Sequence, residues 1–150
     1  FSMPERFGLE YTGQDGRKHT PVMLHRAILG SMERQIGVLI EHHAGKFPLW
    51  LAPVQVRVLP ITEAENAYAR TVLGALNAAG LRAEADYGSD KIGSKIRQAT
   101  IERVPYMLVV GGRESAAGQV AVRERSGEDR GAMSLEAFLT LARERIARKV

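Results

Sequence analysis

The spacing of hydrophobic residues predicts an ordered series of strands and helices after residue 53. Val54, Val56 and Val58 alternate with polar residues, which predicts a strand with one buried face. Residues 106–110 are continuously apolar, as is typical of a strand covered on both faces. The elements predicted after residue 53 follow the order strand, helix, strand, helix, strand, strand, helix. This order predicts an α/β fold with a largely covered sheet.

Capping residues mark the helices of this region. Thr62 and Glu65 have the spacing of a capping box, and Gly80 is placed to end the helix that they begin. Ser134 is placed to cap the last helix. The remaining elements are predicted at residues 81–85 (strand), 91–103 (helix), 111–112 (turn) and 119–123 (strand).

Before residue 53 the pattern is weaker. Residues 7–11 alternate weakly, residues 12–16 are turn-forming types, and residues 21–27 are a candidate strand. Ser31 is placed to open the helix that follows, and Gly45 to end it. This part therefore predicts strand, turn, strand and helix.

A proline-punctuated connector at residues 47–53 separates the two parts. It is apolar rather than rich in glycine and serine, so we expect it to pack against the protein. The domain boundary is predicted here, with one domain at residues 1–52 and a second at residues 53–150.

Composition narrows the class of protein only slightly. The 150 residues carry a formal net charge of +4, and the isoelectric point is near 9.7. This balance fits an anionic partner such as nucleic acid. The chain has no cysteine, which removes disulfides and thiolate ligands and suits a reducing, cytoplasmic location. No apolar run approaches the roughly 18 residues that a membrane-spanning helix needs, so no membrane partner is expected.

The residues by themselves do not predict a self-contained enzyme. The four histidines form no H-x-x-x-H pair, and His42 and His43, adjacent in a predicted helix, point apart. His25 lies in an apolar stretch, where a packed histidine is more common than a metal ligand. No glycine-rich nucleotide-binding loop and no nucleophile elbow is present.

Several charged residues of the second region could contact RNA. Lys91 and Lys95 are four apart on one predicted helix, and Arg123 and Arg125 alternate along a strand end. Glu114 follows the glycine turn. Guanine offers N–H donors to a carboxylate and acceptors to an arginine, so such a group could read a base. A solvated, ion-paired surface is the alternative at this point.

Longer runs of the sequence resemble the threonyl-tRNA synthetases, a family of class II aminoacyl-tRNA synthetases. The most specific run resembles motif 3 of that family, and the prolyl, histidyl and glycyl relatives share the fold but lack it. The resemblance extends through the connector and into the second region, and so covers essentially the whole chain. The residues that carry it are His25-Arg26-Ala27-Ile28-Leu29-Gly30-Ser31-Met32-Glu33-Arg34, Phe47-Pro48-Leu49-Trp50-Leu51-Ala52-Pro53, Lys91-Ile92-Gly93, Val104-Pro105-Tyr106-Met107-Leu108-Val109 and Val120-Ala121-Val122-Arg123.

In the first region the resemblance implies roles in catalysis. His25 matches a ligand of the zinc ion that selects threonine, and the other ligands are expected outside this chain. A zinc ion that binds both the amine and the hydroxyl group of threonine would reject valine. Ser31 matches a residue of the threonine and ATP pocket. Arg34 matches the catalytic arginine that packs on adenine and contacts ATP, which the family uses with magnesium.

In the second region the resemblance implies anticodon recognition on a mixed β-sheet flanked by helices. Glu114 and Arg123 match positions that read anticodon bases, and Lys91 matches a contact nearby. Ser89 stands where some members carry asparagine. Serine is shorter and has fewer donors, so its contact with RNA would differ.

The resemblance implies that the parent protein is a threonine–tRNA ligase and a homodimer. Its partners would be threonine tRNA, threonine and ATP. This chain would be the C-terminal end of that enzyme: the end of the catalytic domain, a strand and helix of its antiparallel sheet, and the anticodon-binding domain. It lacks the other catalytic motifs, so we expect it to be inactive alone. The alternative is a free-standing tRNA-binding accessory module or paralogue without catalysis.

Overall fold

The computed structural model covers residues 1–150 and forms two compact units, Phe1–Gly37 and Val38–Val150. Its elements in chain order are α1 (Ser2–Arg6), β1 (Tyr11–Thr12), β2 (Lys18–His19), α2 (Met32–His43), β3 (Val56–Pro60), a 3₁₀ turn (Glu63–Glu65), α3 (Asn66–Ala78), β4 (Ala83–Ala85), α4 (Ile92–Ile101), β5 (Tyr106–Val110), α5 (Gly112–Ala117), β6 (Gln119–Glu124), β7 (Asp129–Ser134) and α6 (Leu135–Ala147).

The first unit has little regular structure. Its two short strands form an antiparallel hairpin, β1 with β2. Across this hairpin the His19 ring nitrogen Nε2 lies 3.0 Å from the Asp15 carboxylate. The predicted strand at residues 21–27 is wrong, because these residues adopt no regular structure. A strand needs a neighbouring strand for its backbone hydrogen bonds, and β1 and β2 pair only with each other.

The helix predicted after Ser31 is confirmed as α2. The Ser31 hydroxyl accepts a hydrogen bond from the backbone N–H of Arg34 at 3.4 Å, as an N-cap does. At the other end the residue that ends the helix is Ala44 rather than the predicted Gly45: Ala44 has a φ of 48°, and its N–H donates to the carbonyl of Glu41. Gly45 follows with a φ of 70°, and its N–H donates to the carbonyl of Ile40. A residue with positive φ ends helices in this way, and glycine adopts that conformation without a steric penalty.

The second unit is built on one mixed sheet of five strands, in the order β4-β3-β5-β6-β7. Strand β3 is parallel to β4 and to β5. Strand β6 is antiparallel to β5 and to β7. The connections between the parallel strands contain α3 and α4, as parallel pairing requires. The predicted mixed α/β sheet flanked by helices is therefore confirmed.

The chain moves from β3 outward to β4 and then back across β3 to β5. Connections of one hand that reverse direction place their helices on opposite faces of a sheet. The α3 face carries the larger core, which includes Leu76, Leu108 and Phe138 from three elements. The α4 face carries a smaller core around Leu59 and Met107. Helix α4 covers β3 and β5 on that face, so the side chains of β6 there are less buried.

Two elements of this unit were not predicted from the sequence. The glycine pair predicted as a turn begins the short helix α5, whose N-cap is Gly111. Strand β7, residues Asp129–Ser134, forms the edge of the sheet. The remaining strands and helices lie within a few residues of their predicted positions. The predicted cap is also present, since the Ser134 hydroxyl accepts from the N–H of Ala137 at 3.1 Å.

The connector packs within the second unit, as its composition predicts. Leu49 and Ala52 are buried, with Leu49 part of the larger core. Its backbone carbonyls are also held: Gln55 donates to Leu49, and Arg82 donates to Trp50 and Ala52. The domain boundary at residues 52 and 53 stays a prediction.

Candidate nucleic-acid interface

A cleft of the second unit lies where β3 and β5 end, beside α4 and over β6. Parallel strands end there on either side of the point where the chain reverses direction, which is where α/β sheets commonly bind ligands. The cleft volume is about 700 Å³. Its walls are apolar on one side and charged on the other. The lining residues are Ile61, Ile92, Ile96, Val109, Gly111, Gly112, Arg113, Glu114, Ala121, Arg123 and Asp129.

Both residues predicted to read bases line this cleft. Glu114 belongs to the first turn of α5, and its Oε2 atom accepts from the N–H of Gly111 at 3.0 Å. Arg123 is on β6 and lies half-exposed at the cleft wall. The structure thus brings together two residues that are nine positions apart in the sequence. Their roles as base contacts stay a prediction.

Gly111 allows the close approach of two elements at the cleft. A Cβ atom at this position would lie 2.7 Å from Cδ1 of Ile61 and 3.0 Å from Oε2 of Glu114. The first distance is too short for any real contact, so a side chain here would displace Ile61 or the Glu114 carboxylate. Glycine therefore lets the cleft form with Glu114 at its rim.

Arg123 is paired with Asp129, a residue to which no pattern in the sequence points. Its Nε and Nη2 atoms donate to Oδ2 of Asp129 at 3.2 and 3.0 Å. The other oxygen, Oδ1, accepts from the N–H of Gly131 at 2.9 Å. The Gly131 N–H bond, followed by Arg123, lowers the pKa of Asp129 below its usual range. The carboxylate therefore stays charged well below neutral pH.

The other predicted RNA contacts lie near the same cleft. Lys91 is exposed at the N-cap of α4. Ser89 is exposed in the loop before it and lines a smaller cleft of about 280 Å³ with Ile61, which also lines the large cleft. Both side chains therefore flank the cleft that Glu114 and Arg123 line.

Lys95 does not share the exposed face that its spacing from Lys91 predicts. It is buried, with 3% of its surface exposed. Its ammonium group donates to the carbonyls of Pro60 and Asp86, each at 3.1 Å. These carbonyls lie at the ends of β3 and β4, so Lys95 ties both strand ends to α4. The expectation that Lys95 could contact RNA is therefore wrong.

The residues predicted for catalysis all lie in the first unit and are exposed. His25 is in the irregular segment before α2, and Arg34 is in the first turn of that helix. Ser31 caps the helix, and its hydroxyl donates to Glu33 Oε2 at 2.6 Å. All three side chains are exposed in this chain.

The chain does not by itself offer a complete metal site. No group of three or more histidine, aspartate or glutamate side chains is arranged to hold an ion. Structural and catalytic zinc ions need at least three protein ligands. His25 can supply one ligand only. Separately, no helix of the chain is both long enough and apolar enough to cross a membrane.

The fold and the cleft define an RNA-binding α/β domain of the kind that aminoacyl-tRNA synthetases use for the anticodon. Residues 55–145 match the family described as the anticodon binding domain. This match covers more than half of the chain, and the chain belongs to that family.

Individual proteins make the comparison more specific. The threonine–tRNA ligase of Symbiobacterium thermophilum is 55% identical over 149 residues, which is 99% of this chain and 23% of that protein. That of Thermus thermophilus is 58% identical over 139 residues, which is 93% of this chain and 21% of that protein. The RNA binding domain of threonyl-tRNA synthetase from Cryptosporidium parvum has a TM-score of 0.73 at 36% identity, covering 96% of this chain and 36% of the other.

The predicted resemblance to threonyl-tRNA synthetases is therefore confirmed. The chain spans about a quarter or less of the length of the curated relatives that it matches. The matches extend across both compact units, since 99% of the chain is covered in the first comparison.

Proposed function

We propose that this chain recognises the anticodon of threonine tRNA through the cleft between α4, α5 and β6. The observation that carries the proposal is the mixed character of the cleft. One wall is formed by apolar side chains of α4 and β5, and the rim carries two arginines and two carboxylates. A base needs an apolar surface for its ring and both donors and acceptors for its edge.

The charges of the rim favour a base over a phosphate group. Arg113 and Arg123 are balanced by Glu114 and Asp129. A phosphate site would carry an excess of positive charge, and the two carboxylates would repel the anion. Carboxylates are suited instead to the N–H groups of a base.

Guanine is the base that fits this set best. Its Watson–Crick edge offers N–H donors to Glu114, and its O6 and N7 atoms are two adjacent acceptors for Arg123. The codons for threonine share adenine and cytosine at their first two positions. Every threonine anticodon therefore has guanine in the middle, and this guanine is the base assigned to the cleft.

The parent protein is proposed to be a cytoplasmic threonine–tRNA ligase, as the names of the relatives suggest. In that protein Arg34 and Ser31 would bind ATP and threonine, with magnesium at the phosphates. His25 would supply one ligand of a zinc ion. Such an ion would supply a Lewis acid that holds threonine, and its other ligands would come from residues beyond this chain.

Binding to RNA hairpins tests anticodon recognition directly. The hairpins carry the threonine anticodon GGU or the variant GAU, which differs only in the middle base. The wild-type chain should bind the GGU hairpin more tightly. Arg123→Ala should lower that affinity by about 1–3 kcal/mol, or about 5- to 150-fold, and remove most of the discrimination.

Arg143→Ala is the matched control for this experiment. Arg143 is an exposed arginine on α6, which packs on the opposite face of the sheet. It removes the same charge without touching the cleft, so it should lower both affinities equally and slightly. Equal affinity of the wild-type chain for the two hairpins would contradict the proposal. Equal loss for both hairpins with Arg123→Ala would make Arg123 a phosphate contact.

A further inference from the structure

We propose that Asp129 is a positioning residue for base recognition: it holds one edge of the Arg123 guanidinium group so that the other edge is presented to the base. This inference rests on the proposed function, because it concerns how Arg123 meets the anticodon. It assigns a role to a residue that contacts Arg123 and lines the cleft, and to the irregular pairing of β6 with β7.

A bulge between β6 and β7 places Asp129 beside Arg123. Val122 is opposite Gly131, and regular antiparallel pairing would then put Arg130 opposite Arg123. The strand instead has one extra residue at this point, so Arg123 is opposite Asp129. The bulge thus replaces a repulsive arginine pair with an ion pair at the cleft.

The extra residue is directed to the other face of the sheet. Arg130 Nε donates to Oε1 of Glu124 at 2.5 Å, and Glu124 also lies 3.6 Å from Arg145 of α6. Gly131 has a φ of 75°, a conformation that glycine adopts without strain. The bulge therefore directs the carboxylate of Asp129 toward the cleft and the guanidinium group of Arg130 to the opposite face.

The hydrogen bonds to Asp129 leave one edge of Arg123 for a ligand. The guanidinium group has five N–H bonds. Asp129 Oδ2 accepts from Nε and Nη2, which form the side edge of the group. The end edge is formed by Nη1 and Nη2, and each of these atoms has one N–H bond there that does not point at Asp129. Two parallel donors on this edge match the O6 and N7 acceptors of guanine.

The carboxylate that fixes Arg123 is itself fixed. Oδ1 of Asp129 accepts from the N–H of Gly131, so the bulge holds one oxygen and Arg123 holds the other. Holding the guanidinium group before RNA arrives reduces the conformational entropy lost on binding. Asp129 should therefore favour binding although its charge repels the RNA backbone.

Positioning of Arg123 and repulsion of the RNA backbone predict opposite effects for Asp129→Asn, so this substitution tests the role of Asp129. The substitution removes a negative charge, and by electrostatics alone it should strengthen binding to any RNA. If Asp129 positions Arg123, the affinity for the GGU hairpin should instead fall by about fivefold, as when one contact of a bidentate pair is lost. The affinity for the GAU hairpin should stay the same or rise.

A modified base identifies the edge that is read. The hairpin is made with 7-deazaguanine in the middle of the anticodon, which removes the N7 acceptor and keeps the Watson–Crick edge. The wild-type chain should bind this hairpin about fivefold more weakly than the GGU hairpin. With Asp129→Asn the difference should largely disappear, because Arg123 is no longer held for O6 and N7.

The double variant separates positioning from a general structural effect. In the presence of Arg123→Ala, Asp129→Asn should cause no further loss of affinity for the GGU hairpin. A similar loss in both backgrounds would overturn the inference and make Asp129 a structural residue. Unchanged or tighter binding of the GGU hairpin by the single variant would also overturn it, the latter by showing that Asp129 competes with RNA.

Arg130→Ala is the matched control within the bulge. It alters the neighbouring residue of β7 on the other face, so it should leave the 7-deazaguanine difference unchanged. If the wild-type chain fails to distinguish GGU from GAU, the proposed function fails. If it distinguishes them but shows no 7-deazaguanine difference, only the inference about Asp129 fails.

Discussion

The two compact units differ in how many of their side chains are buried and in how specifically their sequences resemble the synthetases. In residues 1–37 only Pro4 is buried, whereas the second unit has buried side chains on both faces of a five-stranded sheet. Yet the run that most specifically resembles the synthetases, residues 25–34, lies in the first unit. In the first unit the buried residue and the residues that carry the resemblance are therefore different ones. In the second unit, packing and proposed binding are carried by alternate residues of the same strands.

The largest expected effect is a difference in stability between a leucine of each unit. Leu108 is fully buried in the larger core, and Leu24 is 88% exposed. Leu108→Ala should lower the free energy of unfolding by about 2–5 kcal/mol, because it removes buried surface and leaves a cavity. Leu24→Ala should change it by less than about 0.5 kcal/mol.

Urea unfolding followed by circular dichroism measures both leucine variants. The two substitutions are chemically identical, so only burial differs between them. A loss of stability with Leu24→Ala comparable to that with Leu108→Ala would break the contrast between the units, since it would require a core that includes Leu24.

A smaller effect is expected from the two lysines of the α4 region. Lys95→Met should lower the free energy of unfolding by about 1–3 kcal/mol, because the carbonyls of Pro60 and Asp86 lose their donor. Lys91→Met should leave stability nearly unchanged, since Lys91 is exposed.

Salt dependence of hairpin binding tests the same pair. Lys91→Met should lower affinity and flatten the dependence on salt if Lys91 meets the RNA backbone. For Lys95→Met the slope should match that of the wild-type chain once folding is verified. A flatter slope with Lys95→Met would mean that its ammonium group reaches RNA after all.

Substitutions at the positions predicted to act in catalysis or to bind zinc should have still less effect on this chain. His25→Ala and Arg34→Ala should change hairpin affinity by less than about twofold, because neither residue lines the cleft. Neither variant nor the wild-type chain should support threonine-dependent ATP–pyrophosphate exchange. Exchange by the wild-type chain would show that the exposed residues of the first unit suffice for catalysis, contrary to expectation.

The smallest expected effect is a shift in tyrosine ionisation within the second unit. Burial, and then the charge of Glu124, raises the pKa of Tyr106 above its ordinary value of 10.0. The folded protein thus binds the proton more tightly than the unfolded chain. The corresponding stability is fully present below about pH 10 and is lost as the pH rises through the folded pKa.

Ultraviolet titration measures this shift. Burial also raises the pKa of Tyr68, so two late-ionising tyrosines are expected. Tyr106→Phe should remove one of these late components. Loss of a component that ionises near the ordinary value, with both late components kept, would place Tyr106 in contact with water.

Local signals in the sequence were sufficient for much of the second unit. The hydroxyl groups of Ser31 and Ser134 accept from backbone N–H groups three residues further on, so their roles as helix caps could be predicted. Strand β5 was predicted because a continuous apolar run of five residues, followed by two glycines, is typical of a buried strand and short for a helix. Short-range patterns of this kind do not depend on the rest of the fold.

Features that depend on distant partners were missed. Strand β7 contains a bulge and a glycine with positive φ, and these interrupt the alternation that would have marked it. The burial of Lys95 depends on carbonyls at the ends of two other strands. Glu114 and Arg123 were found through a resemblance, whereas Asp129 was found only from its pairing with Arg123 across the sheet.

The arginines that hold the connector limit how the second unit can be moved to another protein. Arg125 donates to the carbonyls of Lys46 and Phe47, and Arg82 donates to those of Trp50 and Ala52. A graft cut at residue 53 would remove these four carbonyl acceptors and take Leu49 out of the core. A transplantable unit should therefore begin before Lys46, and a host protein must accommodate the connector, which packs against the second unit, at the junction.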